Sequence, residues 1–86
     1  MSRKDKLLKR FLSVPKDFTY AELVTLLGHF GYKEESKGKT SGSRVAFFKE
    51  NTNIPIITHK PHPSPNLKPY QIRQIINELK NEKLLQ

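Results

Sequence analysis

Apolar residues near the start of the chain recur with the spacing of amphipathic helices. A first short helix is predicted over 4–13, where the apolar positions are Leu7, Leu8, Phe11 and Leu12. Pro15 ends this helix, because the residue before a proline avoids the helical region. A second helix is predicted from another apolar stripe, which consists of Leu23, Leu26, Leu27 and Phe30.

Both ends of the second helix carry local signals. Thr19 is followed three residues later by Glu22. This is the spacing of a capping box, in which each side chain accepts a hydrogen bond from the other residue's backbone N–H. Gly31 suits the left-handed conformation that ends many helices. The sequence therefore predicts a helix that lies between Thr19 and Gly31.

Alternating apolar and polar positions predict three strands in the middle of the chain, over 32–36, 43–50 and 54–60. The first reads as a short edge strand. In the second, alternation places Val45 and Phe47 on the face opposite Arg44. Three turn residues, 51–53, separate the second strand from the third, and this short connection predicts an antiparallel hairpin.

A proline-rich segment and a final helix follow the strands. Residues 61–65 contain three prolines, which excludes a helix or an inner strand because proline has no backbone N–H. Pro69 suits the first position of a helix. The apolar positions of this helix are Ile72, Ile75, Ile76 and Leu79.

The order of these elements predicts an α+β fold with a three-stranded antiparallel sheet that helices cover on one face. We divide the chain into an N-terminal basic amphipathic helix, 1–15, and a domain, 16–86. The domain has the order α-β-β-β-α. This order is that of double-stranded-RNA-binding domains, and other small α+β folds share it.

The charge of the chain favours a polyanionic partner. The 86 residues include 16 Lys and Arg against 8 Asp and Glu, which gives a net charge of +8 and a pI near 9.9. Nucleic acid, an acidic protein and an anionic membrane surface all fit such a field. No apolar run approaches the ~20 residues of a membrane span, and the apolar cluster near the start is too interrupted for a secretory signal. We expect a cytoplasmic protein.

Two histidines three residues apart, His59 and His62, are the candidate catalytic groups. Histidine transfers protons near neutral pH, and RNA cleavage without metal requires a base for the 2′-hydroxyl and an acid for the leaving oxygen. The alternative is that His59 is a half-exposed sheet residue and His62 braces the next helix. The chain has no cysteine, so a thiolate metal site is excluded. No cluster of other ligands stands out, and we predict no metal and no small-molecule cofactor.

Candidate RNA-binding residues surround the histidines along the chain. Arg44 follows a glycine-containing loop, and its guanidinium either clamps a phosphate or pairs with a carboxylate such as Glu50. Tyr70 opens the last helix, where its ring suits base stacking. The complete set of predicted RNA contacts is Lys39, Ser43, Arg44, Lys60, Lys68, Tyr70 and Arg73.

Four segments, in this order, resemble the HicA family of small toxin RNases: Asp17–Phe18–Thr19 through Gly31–Tyr32, Thr40–Ser41–Gly42–Ser43–Arg44–Val45, His59–Lys60–Pro61–His62–Pro63, and Leu67–Lys68–Pro69–Tyr70–Gln71–Ile72. The resemblance implies a bacterial mRNA endonuclease with a double-stranded-RNA-binding-domain-like fold that a HicB-type antitoxin holds inactive. In that family a histidine that carries RNA cleavage normally follows the Gly-Ser pair. Here Arg44 stands at this position.

Three functions therefore remain open. The first is a toxin-type, metal-independent mRNA endoribonuclease in which His59 or His62 replaces the expected histidine. The second is a non-catalytic RNA-binding module, because Arg44 cannot accept a proton. The third is an interaction protein whose charge docks an acidic partner.

Overall fold

A computed structural model describes residues 3–35, 44–50, 54–61 and 64–85. Its helices and strands follow the predicted order, and they are α1 (Arg3–Leu12), α2 (Tyr20–His29), β1 (Tyr32–Glu35), β2 (Arg44–Lys49), β3 (Ile56–His59) and α3 (Pro69–Asn81). The third strand begins two residues later than predicted. Pro55, which has no N–H to donate to a neighbouring strand, precedes its first residue.

The predicted capping box opens α2. The Glu22 backbone N–H donates to Thr19 Oγ1 at 3.1 Å, and the Thr19 backbone N–H donates to Glu22 Oε1 at 2.9 Å. Gly31 follows the helix with a φ of +94°, in the left-handed region that glycine adopts without strain. Both ends of α2 are therefore determined by local sequence, as predicted.

The three strands form one antiparallel sheet in the order β1-β2-β3. β1 is an edge strand, and β2 and β3 form the predicted antiparallel hairpin. Directly paired residues share a face, so Phe47 and its partner Ile56 point to one side, while Arg44 and its partner His59 point to the other.

Helices cover one face of this sheet. The side chains of Val45, Phe47 and Ile56 on that face are almost completely buried. The opposite face, which we call the open face, carries exposed side chains that include Arg44, His59 and the apolar Phe48 and Ile57. The fold is therefore α+β, with one covered face, as predicted.

The hydrophobic core draws residues from all six elements and from the segments before α2 and α3. Its buried members are Phe11, Phe18, Leu23, Leu26, Leu27, Tyr32, Val45, Phe47, Ile56, Leu67, Ile72, Ile75 and Leu79. α1 contributes Phe11, which is fully buried and lies 5.0 Å, centroid to centroid, from the ring of Phe18. Burying a phenylalanine contributes about 1.5–3 kcal/mol, so α1 is anchored to the same core as the rest of the chain.

The segment that leads into α3 runs beside the segment that leads into α2. The Leu67 N–H donates to the Phe18 carbonyl oxygen at 2.8 Å, and the Tyr20 N–H donates to the Pro65 carbonyl oxygen at 2.9 Å. These bonds bring the N-terminal ends of the two helices together. Within the described ranges, no helix combines the length and the apolar composition that crossing a membrane requires.

Candidate nucleic-acid interface

Arg44 and His59 form a direct cross-strand pair on the open face. They are the first residue of β2 and the last residue of β3, and both side chains are exposed. Directly opposed residues of an antiparallel pair have Cβ atoms about 4.5–5.5 Å apart. The fold therefore brings a guanidinium and an imidazole, fifteen positions apart in sequence, within reach of one ligand group.

The first turns of α3 complete a groove beside this pair. The groove encloses about 360 Å³ and is lined by Arg44, Ile57, Thr58, His59, Tyr70, Gln71 and Gln74. Tyr70 is 60% exposed, so its ring is accessible to a base. Three of the predicted site residues, Arg44, His59 and Tyr70, thus line one concave surface, which we call the Arg44–His59 groove.

Gln71 joins the two walls of the Arg44–His59 groove. Its Nε2 donates to Thr58 Oγ1 at 3.0 Å and to the His59 carbonyl oxygen at 2.9 Å, while its Oε1 accepts from the Lys68 N–H at 3.0 Å. The residue is only 4% exposed. A buried amide with these partners holds the His59 backbone against the start of α3.

Sequence reasoning assigned no role to Gln71. A signal for its position was present, because Gln71 stands three residues after Lys68 and two after Pro69. Glutamine at the third helical position can accept from the backbone N–H of the residue that precedes the helix. The bonds to β3 had no local signal, since they depend on how α3 packs on the sheet.

Lys60 lies away from the Arg44–His59 groove. It follows His59, and its ammonium nitrogen lies 5.6 Å from the centroid of the Tyr20 ring. The Tyr20 hydroxyl hydrogen bonds to the Glu34 carboxylate. Burial, reinforced by this carboxylate, raises the pKa of Tyr20. The structure therefore places Lys60 in a cluster with Tyr20 and Glu34, on the other side from His59.

The remaining predicted contacts divide into two groups. Lys68 precedes α3 and Arg73 lies three residues after Tyr70 on that helix, and both are exposed. Residues three apart on a helix are surface neighbours, so Arg73 lies next to Tyr70 on α3, although it does not line the Arg44–His59 groove. The other predicted residues, His62, Lys39 and Ser43, lie outside the described residues.

Arg44 makes no ion pair in the part of the chain that the structure describes. The ion pairs found there join Arg10 to Asp17 and to Glu22. Glu50, the carboxylate considered as a partner for Arg44, follows the opposite end of β2. The Arg44 guanidinium is therefore available to an external anion.

Tyr32, unlike Tyr70, is unsuited to base stacking. It is 3% exposed, and its hydroxyl has no hydrogen-bond partner among the described residues. Burial, together with the negative charges of Glu82 and Glu78, raises the pKa of Tyr32. Among the described residues, no three His, Asp or Glu side chains are grouped as potential metal ligands.

Comparison with known proteins gives a family. No curated protein and no solved structure matches the chain. A family model described as the HicA toxin of bacterial toxin–antitoxin systems matches residues 20–80. The match runs from the start of α2 almost to the end of α3 and leaves α1 outside. It covers well over half of the 86 residues, and the chain therefore belongs to the HicA toxin family of bacterial toxin–antitoxin systems.

Proposed function

We propose that the protein is the RNA-binding toxin of its toxin–antitoxin pair and that RNA binds in the Arg44–His59 groove. One observation carries the proposal: Arg44 and His59 are directly paired on the open face, beside the exposed ring of Tyr70. A guanidinium binds phosphate through two parallel hydrogen bonds. A tyrosine ring stacks on a base without regard to sequence.

RNA binding of this kind depends on salt. The net charge of +8 supplies an attractive field for a polyanion. If about four phosphates of single-stranded RNA are neutralised, log affinity falls with log salt at a slope near roughly −3. The measurement is a titration of labelled RNA by fluorescence anisotropy at several salt concentrations. An affinity that does not respond to salt contradicts the proposal.

The activity that we propose is metal-independent cleavage of mRNA. The 2′-oxygen attacks the adjacent phosphorus, the bond to the 5′-oxygen breaks, and a 2′,3′-cyclic phosphate forms. We assign His59, which is paired with Arg44, the role of the base that takes the 2′-hydroxyl proton, and His62 the role of the acid that protonates the leaving 5′-oxygen. Arg44 holds the phosphate and compensates its charge, since a guanidinium cannot act as the base.

The test is incubation of the purified protein with labelled mRNA in the presence of EDTA. Wild type is compared with His59→Ala, with His62→Ala and with the double variant. Loss of a proton-transfer histidine lowers the rate by roughly 10²–10⁴-fold, while RNA affinity stays nearly intact. A histidine base also gives activity that rises through about pH 6–7. Full activity of the double variant, or strict dependence on a divalent metal, excludes this mechanism.

A second candidate function is RNA binding without cleavage. It is favoured by Arg44, which stands where the family resemblance leads us to expect the catalytic histidine. In that case wild type binds mRNA with the same salt dependence but leaves it intact. Arg44→His then separates the two functions, because restored cleavage identifies a site that lacks only its base.

The partner that we propose is a HicB-like antitoxin in the cytoplasm. The family places the chain in toxin–antitoxin systems, and the basic surface suits an acidic partner protein. Co-expression with the product of the adjacent open reading frame is the test. We expect a stable complex and suppression of RNA cleavage. A neighbouring product that neither binds nor inhibits the protein contradicts this assignment.

A further inference from the structure

A second groove lies between α1 and α2, in a part of the molecule that the Arg44–His59 groove does not use. It encloses about 610 Å³. α1 contributes Arg3, Lys6 and Arg10, which recur at helical spacing on one side, and α2 contributes Glu22 and His29. The floor between them is largely apolar and includes Leu7, Ala21 and Thr25. We call this the α1–α2 groove.

The charge in the α1–α2 groove is predominantly positive. Its one carboxylate, Glu22, is bound to Arg10 at 2.5 Å, and Arg10 also pairs with Asp17 at 3.0 Å. The bond from Arg10 is the main reason that the pKa of Glu22 is lowered. Because Glu22 is already compensated, Arg3 and Lys6 leave an excess of cations along the groove, beside the imidazole of His29.

The acidic residue of α1, Asp5, lies outside the lining of the α1–α2 groove. Asp5 lines a different surface depression, together with Lys4 and Phe30. Over its ten residues, α1 carries five Lys and Arg but only this one carboxylate. The positive side chains are therefore divided between the two sides of the helix, and Arg3 and Lys6 face the α1–α2 groove.

α1 presents these cations on a fixed support. Phe11 is fully buried against Phe18, and the Lys4 ammonium nitrogen lies 5.1 Å from the centroid of the Phe30 ring. A groove whose wall is anchored in the core exists before its ligand arrives. Ligand binding then costs less conformational entropy than ordering a free basic tail.

We propose that the α1–α2 groove binds the phosphodiester backbone of single-stranded RNA, as a second contact beyond the Arg44–His59 groove. The proposal rests on the proposed function as an RNA-binding protein. The planar groups of Arg3 and His29 can hydrogen bond to phosphate and also stack on bases, which favours RNA over an acidic peptide. α1 lies outside the family match of 20–80, whereas the α2 side of the groove lies inside it.

A single RNA strand is long enough to use both grooves. The longest dimension of the molecule is 39 Å. At about 3.4 Å per nucleotide, a stacked 20-mer extends for about 68 Å. The experiment that tests this contact is a fluorescence-anisotropy titration of a labelled, unstructured RNA 20-mer with the protein, at several salt concentrations and with EDTA present.

The variant Arg3→Glu/Lys6→Glu reverses two charges in the groove. Its control is Lys9→Glu/Lys16→Glu, which changes the net charge equally at exposed residues that do not line the groove. Loss of two phosphate contacts reduces the salt slope by about 1.4, which corresponds to roughly 25-fold weaker binding at 0.1 M salt. We expect this loss in the groove variant and a clearly smaller one in the control.

The outcomes separate the two proposals. Equal weakening in the groove variant and its control means that net charge alone acts, and it overturns the α1–α2 contact. The contact is also overturned if Arg44→Ala weakens RNA binding while the groove variant does not, although the proposed function then stands. The contact is likewise overturned if the groove variant keeps its affinity for RNA and loses affinity only for the co-expressed antitoxin, because the groove is then a site for protein. Absence of RNA binding by wild type overturns both proposals.

Discussion

Two polar networks tie helices to the rest of this protein, and they differ in their exposure to water. Gln71 links α3 to β3 through neutral hydrogen bonds and is almost completely buried. Arg10 links α1 to α2 through ion pairs, and its side chain is 34% exposed. The first supports the Arg44–His59 groove, and the second supports the α1–α2 groove.

The difference in exposure determines what each network contributes. A buried donor or acceptor that loses its partner leaves a desolvated group behind, at a cost of about 1–3 kcal/mol. Exposed ion pairs contribute about 0.2–1 kcal/mol, because water and salt screen them. We therefore expect Gln71 to matter more for stability than Arg10, although only Arg10 carries charge.

The largest effect is expected from Gln71→Ala. This change leaves the Thr58 hydroxyl, the His59 carbonyl and the Lys68 N–H without their shared partner, and it should lower the free energy of unfolding by about 1–3 kcal/mol. Chemical denaturation is the measurement. Gln71→Met is the control, since it retains the bulk of the side chain without its hydrogen bonds. Full stability of both variants would remove Gln71 as a support of the groove.

An intermediate effect on stability is expected from Glu22→Ala, which removes the ion pair with Arg10 and the hydrogen bond that the Thr19 N–H donates to the Glu22 carboxylate. The loss should be about 1 kcal/mol near neutral pH. Glu22→Gln is the control, because glutamine can still accept from the Thr19 N–H. The loss of stability in Glu22→Gln therefore reports the ion pair alone. If it equals the loss in Glu22→Ala, the hydrogen bond from the Thr19 N–H contributes nothing.

The pH dependence of this effect has a definite sign. The folded-state pKa of Glu22 is lowered from its ordinary value of 4.5 by Arg10 and by the Thr19 backbone. The carboxylate therefore stabilises the fold fully above about pH 4.5, and this contribution disappears as the pH falls through the lowered pKa. The difference in stability between wild type and Glu22→Gln should shrink in acid. A difference that grows in acid would contradict the assignment.

The smallest effect is expected from Arg10→Met, which keeps the aliphatic stem but removes the guanidinium. The loss should stay below about 1 kcal/mol and decline in 1 M salt, where the screening length is about 3 Å. Denaturation at low and high salt measures it. The Gln71→Met loss should not change with salt, and equal salt sensitivity of both variants would abolish the contrast between the two networks.

The termini of the elements follow from residues close in sequence. Thr19 and Glu22 form the predicted capping box, Gly31 adopts the predicted left-handed conformation, and Pro69 opens α3. These predictions succeed because each depends on bonds or backbone preferences within a few residues. The start of β3 was predicted two residues too early, although Pro55 carried the local signal.

The candidate site was less accessible to sequence reasoning. Alternation alone predicted that Arg44 points away from Val45 and Phe47, and this is confirmed. Lys60 and His59 were grouped in one predicted site because they are adjacent in sequence. Successive strand residues point to opposite faces, and the Lys60 ammonium lies near the Tyr20 ring. Sequence proximity groups residues along a strand, whereas a site groups residues on one face.

The sequence by itself determined the helices, the strands, their order and the strongly positive charge, since these depend on local periodicity and composition. The register that pairs Arg44 with His59, the link from Gln71 to β3 and the insertion of Phe11 into the core were decided only by tertiary structure. Each of these contacts joins residues that are distant in sequence. Their formation depends on which faces the helices and the sheet bury together, which no local signal specifies.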